Sequence, residues 1–323
     1  MSAVRAWLKR HPVAVTISGS LIVAIALVVG LWDKREDFTA ALGETPLWLI
    51  GAAAGLQVIW LIARSEAWHV CVGAAGGDVH RRRLYRASAV GYLGNLFNSH
   101  FGMGVRIAAL RRSAPEDSPN ISTLITAEMP IIVIEMVLAA VCSFTLIGPL
   151  GVPWWAPLSF LVVATAVIAG FTKLAHGKRE GFWKGLGVMR GLGSRNRIIA
   201  LVMFATGAQV VRNWVVLQGL GVDISIFDAV ALLIAAAVIG LLPVGPTLGI
   251  ATSVLILGSN GVAVAAAAGA LLTATGALGA LLFAAWALVD RMRRAPEEPD
   301  PLPALAHPAN AAPASTIAPA EFL

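Results

Sequence analysis

Long apolar runs alternate along this chain with short segments that hold most of its charges. Each run is about 20 residues or longer, which is enough for a helix to cross the ~30 Å hydrocarbon layer of a bilayer. The pattern predicts an all-α fold, a polytopic transmembrane helical bundle with about six full spans. The predicted spans are 13–32, 46–67, 121–147, 153–174, 198–220 and 262–290.

Two further apolar segments are interrupted by glycine, proline and polar residues. Residues 86–112 are broken at 98–104, and residues 224–260 are broken at 242–249. Non-helical backbone persists at membrane depth only where it lines a cavity or is buried in protein. We therefore predict two re-entrant pairs of broken helices, the alternative being that these residues only punctuate ordinary helices. The residues expected to turn or end the helices at the breaks are Gly102, Gly104, Pro243, Pro246 and Gly249.

The two halves of the chain have the same order of predicted elements. Residues 13–147 and 153–290 each contain span, span, re-entrant pair and span, and the breaks at Gly104 and Gly249 are 145 residues apart. Inverted repeats with paired broken helices are typical of transporters that bind substrate near the bilayer midplane. We predict such a repeat, the alternative being a chance similarity. Two pairs of short stretches also match: Gly55–Val58 with Gly207–Val210, and Gly76–Val79 with Gly221–Ile224.

Composition excludes a soluble domain and argues against a nucleic-acid partner. Hydrophobic residues make up 58% of the chain and charged residues 13%, and the mean hydropathy is +0.78. A soluble domain carries about a quarter charged residues. The net charge of +6 comes from arginines and lysines between the apolar runs. By the positive-inside rule they place both termini in the cytoplasm of an inner (plasma) membrane protein.

The predicted transmembrane domain covers residues 1–294. Its first apolar run is span-length and lacks a small-residue cleavage site at Leu31–Lys34, so we expect a retained span and not a signal peptide. Residues 295–323 are rich in proline and alanine and are predicted to form a disordered cytoplasmic tail.

Nothing in the sequence indicates an enzyme. The chain has no His/Cys/Asp/Glu cluster at metal-ligand spacing, no nucleophile elbow and no phosphate-binding glycine loop ahead of a helix. We therefore expect no catalytic activity, no metal and no cofactor.

Ionisable residues inside apolar segments are the candidate binding residues, because a charge at the bilayer centre costs at least ~2.5–3.5 kcal/mol. Arg106 and Arg212 are expected to hold an anionic head group. Glu128 and Glu135 are seven residues apart, hence on one helical face, and are expected to act as counter-charges or proton acceptors. The alternatives are that Arg212 pairs with a glutamate or snorkels to the interface, and that Glu135 is structural. His100, at the tip of the first break, is expected either to contact the ligand or to hydrogen-bond the backbone, and the sequence favours neither.

Arg64 and Glu66, at the end of the second predicted span, are expected to snorkel to the cytoplasmic interface.

The order of these motifs resembles one known family. Asn95 with Asn98–Arg106, the Arg64–Trp68 element, Glu128, and Leu242–Gly249 are similar to motifs of the flippase-like family typified by the transmembrane region of lysylphosphatidylglycerol synthases. The resemblance covers about 13–290. Asn98, Ser99 and His100 stand where the family has proline, glycine and arginine, and Met103 where it has an acid.

The resemblance implies transport of lipid and not lipid aminoacylation, because the soluble synthase domain is not part of it. We expect a protein that moves an anionic lipid or lipid-linked sugar between leaflets, with Asn95 among its substrate-binding residues. The alternative is a non-transporting membrane scaffold for an envelope-lipid biosynthetic enzyme.

Overall fold

The computed structural model of the chain describes residues 29, 32–97, 99–177, 186, 191–222, 224–239, 247–257 and 261–293. These residues form helices and no strand, which confirms the all-α prediction for this part of the chain. The helices are α1 (Arg35–Gly43), α2 (Leu47–Ala74), α3 (Arg81–Phe97), α4 (Ser99–Ser113), α5 (Ile121–Cys142), α6 (Trp155–Gly177), α7 (Leu192–Gly219), α8 (Ile226–Ile239), α9 (Thr247–Leu257) and α10 (Val262–Arg293), with short helical turns at Trp32–Lys34 and Ser143–Leu150.

Four of the described helices are long and apolar enough to cross a membrane: α2, α5 (with its continuation to Leu146), α7 and α10. They correspond to four of the six predicted spans. A fifth predicted span is α6, whose apolar part, Trp155–Gly170, is shorter. The sixth, 13–32, lies almost entirely outside the described residues, as does the predicted tail 295–323.

Helices α2 and α7 pack along each other in opposite directions. Leu49 near the start of α2 contacts Gly219 at the end of α7, and Glu66 near the end of α2 pairs with Arg197 near the start of α7. A Cβ on Gly219 would overlap the Leu49 side chain, so the glycine permits this close approach. The antiparallel pair forms the centre of the bundle.

The same backbone geometry ends both of these helices. Gly76 after α2 has φ 82° and Gly221 after α7 has φ 74°, the left-handed conformation that favours glycine. Two backbone hydrogen bonds at the end of α2 have counterparts at the end of α7, in which the donor and the acceptor each lie 145 residues further along the chain. They are Gly77 N to Val72 O (3.0 Å) with Val222 N to Leu217 O (3.1 Å), and Gly76 N to Gly73 O (2.9 Å) with Gly221 N to Gln218 O (3.0 Å).

Helices α3 and α4 form the first predicted broken pair, and glycines hold them together. The Cα of Gly102 on α4 is only 3.3 Å from where a Cβ on Gly94 of α3 would stand, and a Cβ on Gly102 would overlap Asn95 Oδ1. Helix α3 ends at Phe97 and α4 begins at Ser99, so the two helices meet at the start of the predicted break 98–104, and Gly102 and Gly104 lie in the first turns of α4 instead of turning or ending a helix as predicted.

The second predicted break falls mostly outside the described residues. Pro243 and Pro246 lie in the segment 240–246, which is not described, and Gly249 lies within helix α9. Helices α8 and α9 flank this segment and pack against each other.

Two glycines of α4 give a matched test of the α3–α4 contact. Gly102→Ala should lower the free energy of unfolding by about 1–3 kcal/mol, because the new methyl group overlaps Asn95. Gly104→Ala meets no atom within 4 Å, and should leave stability unchanged or raise it by up to about 1 kcal/mol, since alanine favours helix. Thermal unfolding of the detergent-purified variants measures both effects. Equal destabilisation by the two substitutions would contradict the close packing.

Candidate functional site

A cavity of about 600 Å³ lies inside the bundle, between helices α2, α3, α5, α7, α8 and α10. This volume is in the range of small-molecule sites, about 300–1,000 Å³. Most of the wall is aliphatic, from residues such as Leu138, Val230 and Leu233. One helix of each predicted re-entrant pair, α3 and α8, contributes to it. Its hydrogen-bonding and charged side chains include Gln57, Arg64, Asn95, Glu135, Gln209 and Arg212.

One part of the wall holds an ion pair between α2 and α5. Arg64 Nη1 contacts Glu135 Oε1, and Arg64 Nη2 lies 3.7 Å from Glu128 Oε1. The two glutamates are seven residues apart and reach one arginine, which confirms that they share a face of α5. Arg64 was predicted to snorkel to the interface, and this is wrong for the described structure, because its guanidinium lines the cavity.

Arg106 lies beside the cavity and is not among its lining residues. It is 5% exposed, and its Nη2 contacts Glu128 Oε2. The guanidinium carbon is 4.0 Å from the ring centroid of Trp68, which is fully buried. Such a cation–π contact stabilises a desolvated guanidinium. The positive charge of Arg106 is therefore matched by a carboxylate of the same chain, in contrast to the expected ligand-binding role.

The opposite part of the wall carries Arg212, whose partners are neutral. Arg212 donates to Gln209 Oε1 (3.1 Å), to Thr275 Oγ1 (2.8 Å) and to the carbonyl of Leu272. Its Nε has no partner among the described residues, and the residue is 6% exposed. No carboxylate of the described chain forms a salt bridge with it, so the predicted alternative of an Arg212–glutamate pair is wrong there.

A pair of amides joins the two halves of the chain at this wall. Gln209 Nε2 donates to Gln57 Oε1 over 2.8 Å. These are the glutamines of the matching stretches Gly55–Val58 and Gly207–Val210. Gly279 of α10 makes room for the pair, since a Cβ there would stand 2.6 Å from Gln57 Cγ.

The remaining predicted binding residues divide into two groups. Asn95 lines the cavity, as expected. His100 lies in the first turn of α4, and its side chain is outside the described residues. Sequence analysis missed Gln57 and Arg64 as cavity residues, although their spacing of seven puts them on one face of α2.

Glu66 ties three helices together beyond the cavity. Tyr85 donates to its Oε2 (2.8 Å), Arg81 Nε lies 2.8 Å from the same oxygen, and Arg197 Nη2 lies 2.7 Å from Oε1. Glu66 is 6% exposed, so the predicted snorkelling is wrong for this residue too. Nearby in sequence, Arg86 of α3 binds Asp290 of α10 (2.7 Å). One end of the bundle therefore gathers arginines of α3 and α7 around two acids, Glu66 of α2 and Asp290 of α10.

Within the described residues, no group of three or more His, Cys, Asp or Glu side chains could hold a metal ion. The site is a cavity with charged and amide side chains in a largely aliphatic wall.

The class of protein follows from these features: an all-helical chain with four membrane-crossing helices in the described part, which is the pattern of a multi-pass membrane protein. No family model matches the chain, and no curated protein or solved structure matches it. The resemblance to the flippase-like family thus stays a prediction from the motifs.

The buried pair Arg106–Glu128 gives a direct test of the site's electrostatics. Arg106→Met or Glu128→Gln alone should destabilise the protein, by about 3–5 kcal/mol for the arginine change, because a buried charge loses its partner. The double variant should recover much of this loss, since no unpaired charge remains at that pair. Thermal unfolding of all three variants gives the coupling free energy. Additive losses in the double variant would show that the two side chains do not interact.

Proposed function

We propose that this protein is a membrane transporter that moves an anionic or lipid-linked amphiphile between leaflets through the cavity described above. The observation that carries the proposal is the composition of the wall, which is largely aliphatic and has charged and amide groups at defined places. Such a wall matches a molecule with an acyl chain and a polar head. A purely structural core would have no reason to keep a cavity of about 600 Å³.

The apolar exterior supports a lipid-facing location. Large aliphatic and aromatic side chains are exposed on the outer faces of α6, α7 and α10, among them Val162, Phe204 and Leu281. Exposed apolar surface on this scale marks contact with a membrane or a partner protein. A lipid can therefore reach the bundle without crossing water.

Three observations support the predicted inverted repeat. Helices α2 and α7 run antiparallel, their C-terminal turns have the same hydrogen bonds 145 residues apart, and Gln57 and Gln209 face each other. A two-fold axis in the membrane plane that relates the halves at the 145-residue offset would pass between α2 and α7 near the glutamine pair, whose own offset is 152 residues. Such symmetry lets one protein present its cavity to each leaflet in turn.

Charge supports the predicted orientation in an inner membrane. The arginines that meet Glu66 and Asp290 lie at one end of the bundle, together with Arg291 and Arg293 at the end of α10. The positive-inside rule assigns this end to the cytoplasm. The C-terminus of the described chain then also lies there.

Blocking the cavity tests the transport proposal. Ala139 on α5 lines the cavity, whereas Ala166 on α6 is exposed on the outer face of the bundle. Ala139→Trp should reduce movement of a fluorescent phospholipid in proteoliposomes by about tenfold or more, and Ala166→Trp should not, because only the first ring fills the passage.

Wild-type vesicles that move lipid no faster than protein-free vesicles would oppose transport and favour the scaffold alternative. Co-purification of a stoichiometric biosynthetic enzyme would support that scaffold directly.

Cysteine labelling tests orientation. Asp78 follows α2 and Ser225 precedes α8, and both are exposed. With Cys142 changed to alanine, a membrane-impermeant maleimide should label Ser225→Cys in intact cells but Asp78→Cys only after permeabilisation, because the ends of the antiparallel α2 and α7 face opposite sides. Labelling of both positions from one side would contradict an inverted arrangement.

A further inference from the structure

The cavity contains one more positive charge than negative charge. Its charged lining residues in the described chain are Arg64, Arg212 and Glu135. The adjoining pair, Arg106 and Glu128, adds one charge of each sign. The net charge of this group of five side chains is therefore +1, and it resides on Arg212.

Arg64 and Arg106 have no charge to offer a ligand without breaking an ion pair. Arg64 contacts Glu135 and approaches Glu128, and Arg106 contacts Glu128 against Trp68. Removing one member of such a buried pair costs several kcal/mol. A ligand that bound these arginines would have to displace a carboxylate already held in place.

Arg212 differs because its partners leave its charge uncompensated. Three of the guanidinium's five N–H donors go to neutral oxygens, and no carboxylate of the described residues forms a salt bridge with it. Residues 240–246, which follow α8 in the sequence, contain no ionisable residue. A desolvated cation without a counter-ion is costly in a bilayer, and a bound anion offsets that cost.

We propose that the cavity selects an amphiphile whose head carries one negative charge, and that the anionic oxygens bind Arg212 beside the Gln57–Gln209 pair. This inference rests on the proposed function and specifies its substrate class. The shared chemistry is a monoanionic oxyanion attached to an acyl chain. A phosphodiester lipid and a fatty-acid carboxylate are the two sources of such a group.

The experiment uses the full chain in detergent micelles mixed with phosphatidylglycerol and phosphatidylcholine of the same acyl chains, or with oleate, and counts bound lipid by native mass spectrometry. The wild type should retain phosphatidylglycerol over phosphatidylcholine by about tenfold or more, about 1.4 kcal/mol at the least. Arg212→Gln should abolish this preference, and Arg212→Lys should keep part of it because the charge remains. Arg195→Gln, on the same helix but outside the cavity lining, is the matched control and should behave as wild type.

Binding of oleate that depends on Arg212 would support the proposal and identify a carboxylate as the natural head group. Equal retention of the two phospholipids by the wild type would overturn the proposal while leaving transport intact, and this result does not depend on any variant folding. A preference that survives in Arg212→Gln would overturn it as well. Absence of any bound lipid, together with no lipid movement in proteoliposomes, would instead reject the proposed function.

Discussion

The cost of holding charge away from water constrains this bundle more than any other interaction. An ionised side chain at the bilayer centre costs at least ~2.5–3.5 kcal/mol. Helices α2, α4 and α5 bring four such side chains together within the bundle: Arg64, Arg106, Glu128 and Glu135. Glu128 pairs with both arginines, and Glu135 also reaches Arg64 because seven residues separate the two carboxylates along α5. These ion pairs fix the relative positions of the three helices, because sliding α2 or α4 along α5 would leave unpaired charges in an apolar environment.

Close backbone contacts bring the helices near enough for these pairs to form. Gly102 brings α4 against α3, Gly219 brings α7 against α2, and Gly279 brings α10 against Gln57. Each glycine sits where a methyl group would overlap a neighbour, so each loses helix propensity but gains packing. None of these three glycines lines the cavity, whose wall is formed mostly by larger aliphatic side chains.

The sequence predicted the positions of the helices better than the contacts between their side chains. Apolar length predicted α2, α5, α7 and α10, and spacing predicted the shared face of Glu128 and Glu135, because both depend only on local periodicity. The first break lies at the start of the predicted range 98–104, and Gly102 and Gly104 do not turn the chain, since Gly102 packs against Asn95 from within helix α4. Arg64 was missed as a cavity residue because its choice between the interface and Glu135 depends on which helix lies beside it, and periodicity carries no such information.

The interface between α2 and α7 is graded along its length, and this bears on how a carrier could open. At one end Glu66 binds Arg197 as well as Arg81, at the middle Gln57 meets Gln209, and at the other end Leu49 packs on Gly219. Charge-assisted bonds are roughly twice as strong as neutral ones, and a neutral hydrogen bond adds only about 0.5–1.5 kcal/mol net. The amide pair can part at modest cost where water in the cavity satisfies the freed groups, whereas the apolar contact at Leu49 involves no polar side chain. In the transport that we propose, the charged end is expected to stay closed, so that the two halves pivot about Glu66 and open the cavity on the side of Leu49.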